Sequence, residues 1–339
     1  AQRTAAAVAL RDDDVIRVRS TFADAAVEVP LSELDARIAA GGLDWAGYPL
    51  GVAWALRRAA PDAVTRGVDI ALASDVPVGA GLSSSAAIEG AVASALNDVW
   101  AAGLDKVALA RVGRVAENDA VGAPTGIMDQ MASMLGVADA ATFLDCRTLE
   151  TRAVALGFAD AGLSILVTDT LVEHAHSTGG YRERREACER GAAAFGVGSL
   201  RDLTVDDLPR AEEILDDVTF RRVRHVITEN QRVLDTVAAL DADGPSAIGD
   251  LLVASHASMR DDFEISVPEL DLAVETTLAN GALGARMTGG GFGGAAIALI
   301  PTGLVPAATA AVRAAFAASD FRAPNIFTVT PSEGARRDA

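Results

Sequence analysis

The chain has 339 residues, of which 50% are hydrophobic and 22% are charged, a composition that supports a large buried core and argues against global disorder. A formal net charge of −18 argues against nucleic-acid binding, because such proteins need clustered basic side chains to neutralise phosphates. Without a secretory pattern or an apolar run of roughly 18 residues, the chain is expected to be cytoplasmic with no membrane partner. We also expect it to be a monomer.

The N-terminal half predicts strands and helices in alternation. In chain order, hydrophobic periodicity predicts a strand at 15–21, a helix at 45–59, a strand at 68–73, helices at 83–101 and 105–118, a short helix from 126, and strands at 143–145, 153–156 and 163–167.

After residue 179 the pattern becomes mainly helical. It predicts helices at 181–194, 220–240, 247–258 and 268–279, strands at 282–287 and 295–300 around a glycine cluster, and then a helix at 305–318 and a strand at 326–330. The interleaved elements indicate the α+β class. The length favours two domains, which we expect at 1–160 and 161–339.

The first motif, VPVGAGLSSSAA, begins at Val76, follows a predicted strand and opens a predicted helix. Gly79 and Gly81 let the backbone approach a polyanion, and the next residues leave unpaired amides at a helix N-terminus, where anions bind without a lysine. The only lysine, Lys106, lies far along the chain from any glycine-rich loop. Hydroxyls on Ser84 and Ser85 suit phosphate or Mg²⁺. The alternative is an ordinary tight turn in which Ser83 caps the helix.

The second motif contains two carboxylates on either side of a Gly/Pro loop, Glu117 and Asp129. One carboxylate, a serine hydroxyl and phosphates are enough to hold Mg²⁺, which keeps several water ligands. The other carboxylate is then available to orient or deprotonate a hydroxyl group. The alternative is that Glu117 is a solvated acid at a helix end and Asp129 caps a helix.

The third motif, MTGGGFGG, starts at Met287 between two predicted strands. So many glycines cost conformational entropy, so we expect the backbone at 289–294 to approach a ligand or the first glycine loop closely. A flexible surface hairpin is the alternative.

In this order and spacing, the three motifs resemble those of the GHMP small-molecule kinases, and the resemblance covers essentially the whole chain. Further stretches resemble the galactokinase branch of that family: Gly126-Ile127-Met128-Asp129-Gln130, Asp169-Thr170-Leu171-Val172-Glu173-His174, Tyr181-x-x-Arg184-Arg185-x-x-Cys188, and the run from His256 to Asp271.

The resemblance implies an activity, a fold and a set of site residues. The activity is ATP-dependent phosphorylation of the anomeric hydroxyl of galactose with Mg²⁺ as cofactor. The fold has an N-terminal domain like domain 2 of ribosomal protein S5 and a ferredoxin-like C-terminal domain, with ligands in the cleft between them. The resemblance implies the catalytic residue Asp129, the metal ligands Ser85 and Glu117, sugar contacts at Gly126, Asp129 and Tyr181, a glycine motif at Gly289, Gly290 and Gly291, and an ATP loop comprising Pro77, Gly79, Ala80, Gly81, Leu82, Ser83, Ser84 and Ser85.

One departure from the family pattern concerns its first motif, which supplies much of the sugar clamp and is absent from this sequence. Either a preceding segment is not part of the sequence, or the chain is a truncated variant. Two other functions remain open at this stage: another GHMP kinase acting on mevalonate, homoserine or a uronic acid, and a catalytically silent regulator that binds ATP and galactose. The filled catalytic positions argue against the silent regulator.

Overall fold

The structure is a computed structural model that describes residues 2–172 and 177–338. Packing divides the chain into two compact units. The first unit contains the residues up to Val78, Ser83–Ala153 and the residues from Pro331 onward, and the second contains Gly79–Leu82 and Val154–Thr330. The sequence analysis placed one division at residue 160. The C-terminal residues join the first unit because the amides of Gly334 and Ala335 donate to carbonyls at Gly136 and Ser133.

The first unit contains a four-stranded sheet in the order β1-β4-β2-β3. β2 and β4 are parallel, and the two outer pairs are antiparallel. The strands are β1 (Thr4–Leu10), β2 (Val15–Ser20), β3 (Ala23–Pro30) and β4 (Val68–Ser74). The predicted strands at 15–21 and 68–73 are confirmed. β1 and β3 were not predicted, because their alanine-rich sequences lack clear alternation.

Helices pack against this sheet around one core that includes Ile16, Leu50, Ile70 and Leu96, all at most 2% exposed. A π-helical turn at Ala116–Val121 interrupts the region predicted as the end of one helix. The helices are α1 (Leu34–Ala40), α2 (Gly47–Ala59), α3 (Ser84–Val99), α4 (Lys106–Val115) and α5 (Met128–Leu135); β5 (Ala140–Leu144) and β6 (Thr151–Ala155) form a separate two-stranded sheet.

The second unit contains an antiparallel sheet in the order β10-β7-β9-β8. β9 lies between β7 and β8, and the glycine-rich turn joins β8, at the edge of this sheet, to β9. The strands are β7 (Leu163–Asp169), β8 (Gly284–Thr288), β9 (Ala295–Pro301) and β10 (Asn325–Val329).

Where the structure describes the second unit, six α-helices accompany that sheet, and a second π-helical turn covers Ser258–Asp262. Leu270 and Phe316 pack into the core under the sheet, and Val223 belongs to a smaller separate core. Among the described residues, no helix is long and apolar enough to span a bilayer. The helices are α6 (Ser177–Phe195), α7 (Leu208–Ile214), α8 (Asp217–Asp243), α9 (Gly249–Ala257), α10 (Pro268–Ala279) and α11 (Val305–Ala318).

Candidate functional site

The segment between β4 and α3 contains three residues in the left-handed region: Gly79 (φ 77°), Gly81 (φ 66°) and Ser83 (φ 57°). Ser83 occupies the N-cap position of α3, but its side chain makes no capping hydrogen bond. Its hydroxyl is directed instead to the carboxylate of Asp129 and lowers the pKa of that group. The predicted serine cap is therefore wrong. The physical reason is the backbone, because a capping residue normally has extended dihedral angles that direct its oxygen to the helix amides.

This arrangement leaves the first turn of α3 without a side-chain cap. The first intrahelical bond runs from the amide of Ala87 to the carbonyl of Ser83, at 3.0 Å. By helix geometry, the preceding amides have no intrahelical acceptor. These amides and the helix dipole make the start of α3 suitable for an anion. Ser84 and Ser85 are both half-buried in this turn.

In the second unit, the glycine-rich loop after β8 lies against the backbone around Gly81. A Cβ on Gly81 would be 2.8 Å from the carbonyl oxygen of Thr288, and a Cβ on Gly289 would be 2.7 Å from the Cα of Gly81. Gly289 and Gly291 have φ of 82° and 83°, whereas the Cβ position of Gly290 has nothing within 4 Å. The expected close approach to the first glycine loop is confirmed, and the flexible-hairpin alternative is wrong.

Phe292, within the same loop, is held by its neighbours in the second unit. Its amide donates to the carbonyl of Ile265 at 2.7 Å, and the guanidinium of Arg184 lies 5.3 Å from its ring centroid. Arg184 also donates to the carbonyls of Phe263 and Glu264, at 2.9 and 2.8 Å. The arginine therefore ties α6 to both segments, a role the sequence analysis did not assign.

The segment that receives these bonds is itself anchored to α8. Arg222 donates to the carboxylate of Glu264 at 2.5 Å, and Arg224 Nε donates to Asp262 at 3.0 Å. The imidazole of His225 stacks on Phe263 with ring centroids 4.2 Å apart. Bidentate and charge-assisted contacts of this kind restrict geometry strongly, so the backbone beneath the glycine-rich loop has little freedom to shift.

Tyr181 is the expected sugar contact in the second unit. It lies on α6 and is 40% exposed. The preceding Gly180 packs against the glycine-rich loop, because a Cβ there would be 2.5 Å from Phe292 Cζ. Glu173 and His174, which form part of the family resemblance, lie outside the described residues.

Glu117 belongs to the first unit and lies in the π-helical turn after α4, a kind of distortion that is frequent at functional sites. The residue is 6% exposed. Its Oε2 accepts hydrogen bonds from Thr125 Oγ1 and from Gln130 Nε2, both at 2.7 Å. The alternative of a solvated helix-end acid is therefore wrong.

Asp129 lies in the first turn of α5, where Ile127 holds the N-cap position. The carboxylate does not cap the helix, so that alternative is also wrong. Burial raises the pKa of Asp129, the hydrogen bond from Ser83 lowers it, and the charge of Glu117 raises it further. Gly126, another expected sugar contact, is exposed, and its Cβ position has nothing within 4 Å.

A third carboxyl group, Glu89 on α3, was not identified from the sequence. It is 0% exposed, and its Oε2 accepts a hydrogen bond from Gln130 Nε2 at 2.9 Å. Burial, followed by the charge of Glu117, raises the pKa of Glu89 to about 8. The signal available in the sequence was a single acid inside a helix of small and apolar residues. Because glutamate is almost never fully buried without a partner, an acid in such a helix is a candidate for a paired, buried group.

The raised pKa of Glu89 predicts a pH-dependent stability. The folded chain keeps the Glu89 proton up to about pH 8, whereas the unfolded chain releases it near the ordinary glutamate pKa of 4.5. The stabilising contribution of Glu89 to the unfolding free energy is therefore fully present below pH 4.5 and is lost as pH rises through 8. We expect Glu89→Gln to remove this loss, which is on the order of a few kcal/mol. Urea unfolding of both proteins between pH 5 and 9 measures it, and parallel pH dependences would contradict it.

The groups that could hold a cation are the Ser85 hydroxyl and the Glu117 carboxylate, both in the first unit. No set of three or more His, Cys, Asp or Glu side chains that could hold a metal ion occurs in the described parts of the chain. Two oxygen donors nevertheless suit Mg²⁺, which takes its remaining ligands from phosphates and water. In these same parts, both hydrogen bonds to the Glu117 carboxylate go to Oε2.

The chain is similar to two family profiles and to known relatives. The family profile described as GHMP kinases N terminal domain matches residues 47–137, and the one described as GHMP kinases C terminal matches 236–318. A galactokinase of Streptomyces coelicolor is 52% identical over 98% of this chain and 85% of its own length. A galactokinase of Mycobacterium tuberculosis is 41% identical over 94% of this chain and 86% of its own length.

Among solved structures, that of Lactococcus lactis galactokinase complexed with galactose is similar to the whole chain. The TM-score is 0.91 at 30% sequence identity, and the match covers 98% of this chain and 86% of the other. The two-domain arrangement of mixed helices and strands is therefore the one found in this kinase family.

Proposed function

The chain belongs to the galactokinases of the GHMP kinase family, and we propose the roles of its residues in transferring the γ-phosphoryl group of ATP to the anomeric hydroxyl of galactose. The main support for these roles is the half-buried carboxylate of Asp129. Its pKa is lowered by the Ser83 hydroxyl and raised by the charge of Glu117, which is close enough to interact with it. Such a group can orient a sugar hydroxyl on one side of a site that neutralises phosphate charge.

ATP phosphates are held by backbone amides rather than by a lysine. The left-handed residues Gly79 and Gly81 allow the loop to approach a polyanion, and the uncapped first turn of α3 supplies amides and the positive end of its dipole. The ATP loop comprises Pro77, Gly79, Ala80, Gly81, Leu82, Ser83, Ser84 and Ser85. The Gly289, Gly290 and Gly291 motif supports this loop through the close approach of Gly289 to Gly81.

Ser85 and Glu117 hold Mg²⁺ by their hydroxyl and carboxylate oxygens. When bound, the cation neutralises negative charge on the transferring phosphates. Glu117 suits this role because Thr125 and Gln130 orient its carboxylate through Oε2. Outer hydrogen bonds of this kind fix the direction of a metal ligand and are important for its affinity.

Asp129 orients the anomeric hydroxyl and accepts its proton. The pKa of Asp129, raised chiefly by burial, makes it a better proton acceptor than a solvated aspartate. The loose transition state of phosphoryl transfer makes positioning more important than base strength, and the Ser83 hydroxyl supplies positioning. Gly126 and Tyr181 contact the sugar, and all these groups come from one chain, which we propose acts as a cytoplasmic monomer.

We expect rapid ADP release with galactose and rates at least roughly 10²-fold lower with mevalonate, homoserine or a uronic acid, because sites that hydrogen-bond one acceptor reject others strongly. A coupled ADP assay with equal concentrations of each acceptor measures this. Fastest release with another acceptor would indicate a different GHMP kinase activity. Calorimetric binding of galactose and ATP without ADP release would instead indicate the silent regulator.

A further inference from the structure

One side-chain amide connects two buried carboxyl groups in the first unit. Gln130 Nε2 donates to Glu117 Oε2 at 2.7 Å and to Glu89 Oε2 at 2.9 Å. Glu89, Gln130 and Glu117 are 0%, 2% and 6% exposed. Gly113 leaves room for the bridge, because a Cβ there would be 3.1 Å from both Gln130 Cγ and Glu89 Oε2. The three side chains therefore form one packed cluster, here called the Gln130 bridge.

The chemistry of the amide gives the Gln130 bridge a direction. An amide nitrogen has two N–H donors, and each is directed at one carboxyl group. Without the acceptor on Glu89, the amide could rotate and present its oxygen to Glu117. An amide oxygen facing a carboxylate is repulsive and would turn the Glu117 carboxylate away from its present direction. Glu89 thus determines which end of Gln130 faces Glu117.

The cluster is poorly suited to a purely structural role. Glu89 Oε1 and Gln130 Oε1 are buried without a hydrogen-bond partner among the described residues. Unsatisfied buried oxygens cost stability, and well-packed apolar side chains of similar volume would avoid that cost. Features that reduce stability without an evident structural gain are expected at functional sites.

We propose that Glu89 is a positioning residue for phosphoryl transfer, acting through Gln130 to hold the Glu117 carboxylate in the direction that binds the cation. Glu89 follows Ser85 by four residues on α3, so both side chains lie on the same face of that helix. Helix α3 therefore contains both the proposed cation ligand Ser85 and Glu89, the group that orients the other proposed ligand, Glu117. This inference rests on the proposed magnesium role of Glu117.

The test compares Glu89→Asp, Glu89→Gln and Glu117→Gln with the unmodified protein. Two quantities are measured: the Mg²⁺ concentration for half-maximal rate, and the calorimetric affinity of Mg²⁺ for the complex with ADP. Glu89→Asp withdraws the carboxyl group by one methylene, so we expect both Mg²⁺ constants to weaken roughly 10-fold with the KM for galactose unchanged. Glu89→Gln keeps an acceptor of the same length and should stay within about 2-fold of the unmodified protein, because the bridge is retained.

Leu96→Ala is the matched control, because Leu96 is a 0% exposed residue on the same helix outside the cluster. It should lower the melting temperature without changing the Mg²⁺ constants. If Glu89→Asp behaves like this control while Glu117→Gln weakens Mg²⁺ binding, the positioning role of Glu89 is overturned and the metal role of Glu117 stands. Loss of Mg²⁺ affinity in Glu89→Gln would also overturn the positioning role of Glu89. Unchanged Mg²⁺ constants in Glu117→Gln would instead remove the metal role of Glu117. If Glu89→Asp does not fold, Gln130→Met breaks the bridge at similar volume and gives the same comparison.

Discussion

Asp129→Ala is expected to lower turnover by at least about 10²-fold, the loss typical of removing a group that transfers a proton in the transition state. The Ser83 hydroxyl and the charge of Glu117 both act on this carboxylate, which is the group proposed to accept the proton of the anomeric hydroxyl. Nucleotide affinity should change little, because the proposed phosphate contacts lie on the glycine loop and α3. Steady-state kinetics and ADP calorimetry separate the two effects.

Asp119→Ala is the matched control for this substitution. Asp119 lies in the same π-helical turn as Glu117, but its side chain is exposed. Removing an exposed carboxylate away from the cluster should leave turnover near that of the unmodified protein. Asp129→Ala with turnover close to that of Asp119→Ala would remove the proposed role of Asp129.

Gly289→Ala is expected to lower the unfolding free energy by about 2 kcal/mol or more and to weaken nucleotide binding. Part of the loss is the cost of a left-handed backbone for alanine, roughly 1–2 kcal/mol. The rest arises because the new Cβ would lie 2.7 Å from the Cα of Gly81, a main-chain atom that no side-chain rotation can move away. Displacing Gly81 also disturbs the loop proposed to hold the phosphates. Urea unfolding and ADP calorimetry measure the two losses.

Gly290→Ala provides the comparison within the same loop. The Cβ position of Gly290 has nothing within 4 Å, and its φ is not positive. Its unfolding free energy should stay within about 0.5 kcal/mol of the unmodified protein. Equal losses in the two variants would show that the approach of Gly289 to Gly81 does not limit stability.

The parts of the site that could be predicted from the sequence are those specified by local chemistry. The glycines at 79 and 81 and the serines after them indicate an anion site, because backbone freedom and helix-start amides depend on neighbouring residues only. The glycine cluster after β8 predicted a close backbone approach for the same reason. Family resemblance then indicated the roles of Glu117 and Asp129, which isolated carboxylates in a sequence do not reveal.

The errors have a common physical origin. The predicted cap at Ser83 failed because the loop places this residue in the left-handed region, and its hydroxyl acts on Asp129, which comes from a different helix. Glu89 was overlooked because nothing near it in the sequence is charged, and its partner Gln130 comes from another helix. Strand β1 was missed because its alanine-rich segment acquires strand character by pairing with β4.

The sequence by itself determined the class of fold, the order of most helices and strands, the lysine-free glycine loop proposed to hold phosphates, and the membership of a kinase family. Periodicity, glycine placement and motif order are local properties, so they can be recognised without coordinates. Only the tertiary structure decided which carboxyl groups share one buried cluster, that burial raises the pKa of Glu89, and which backbone segments come into contact. Burial and through-space charge depend on residues brought together from distant positions, and these two effects raise the pKa values of Glu89 and Asp129.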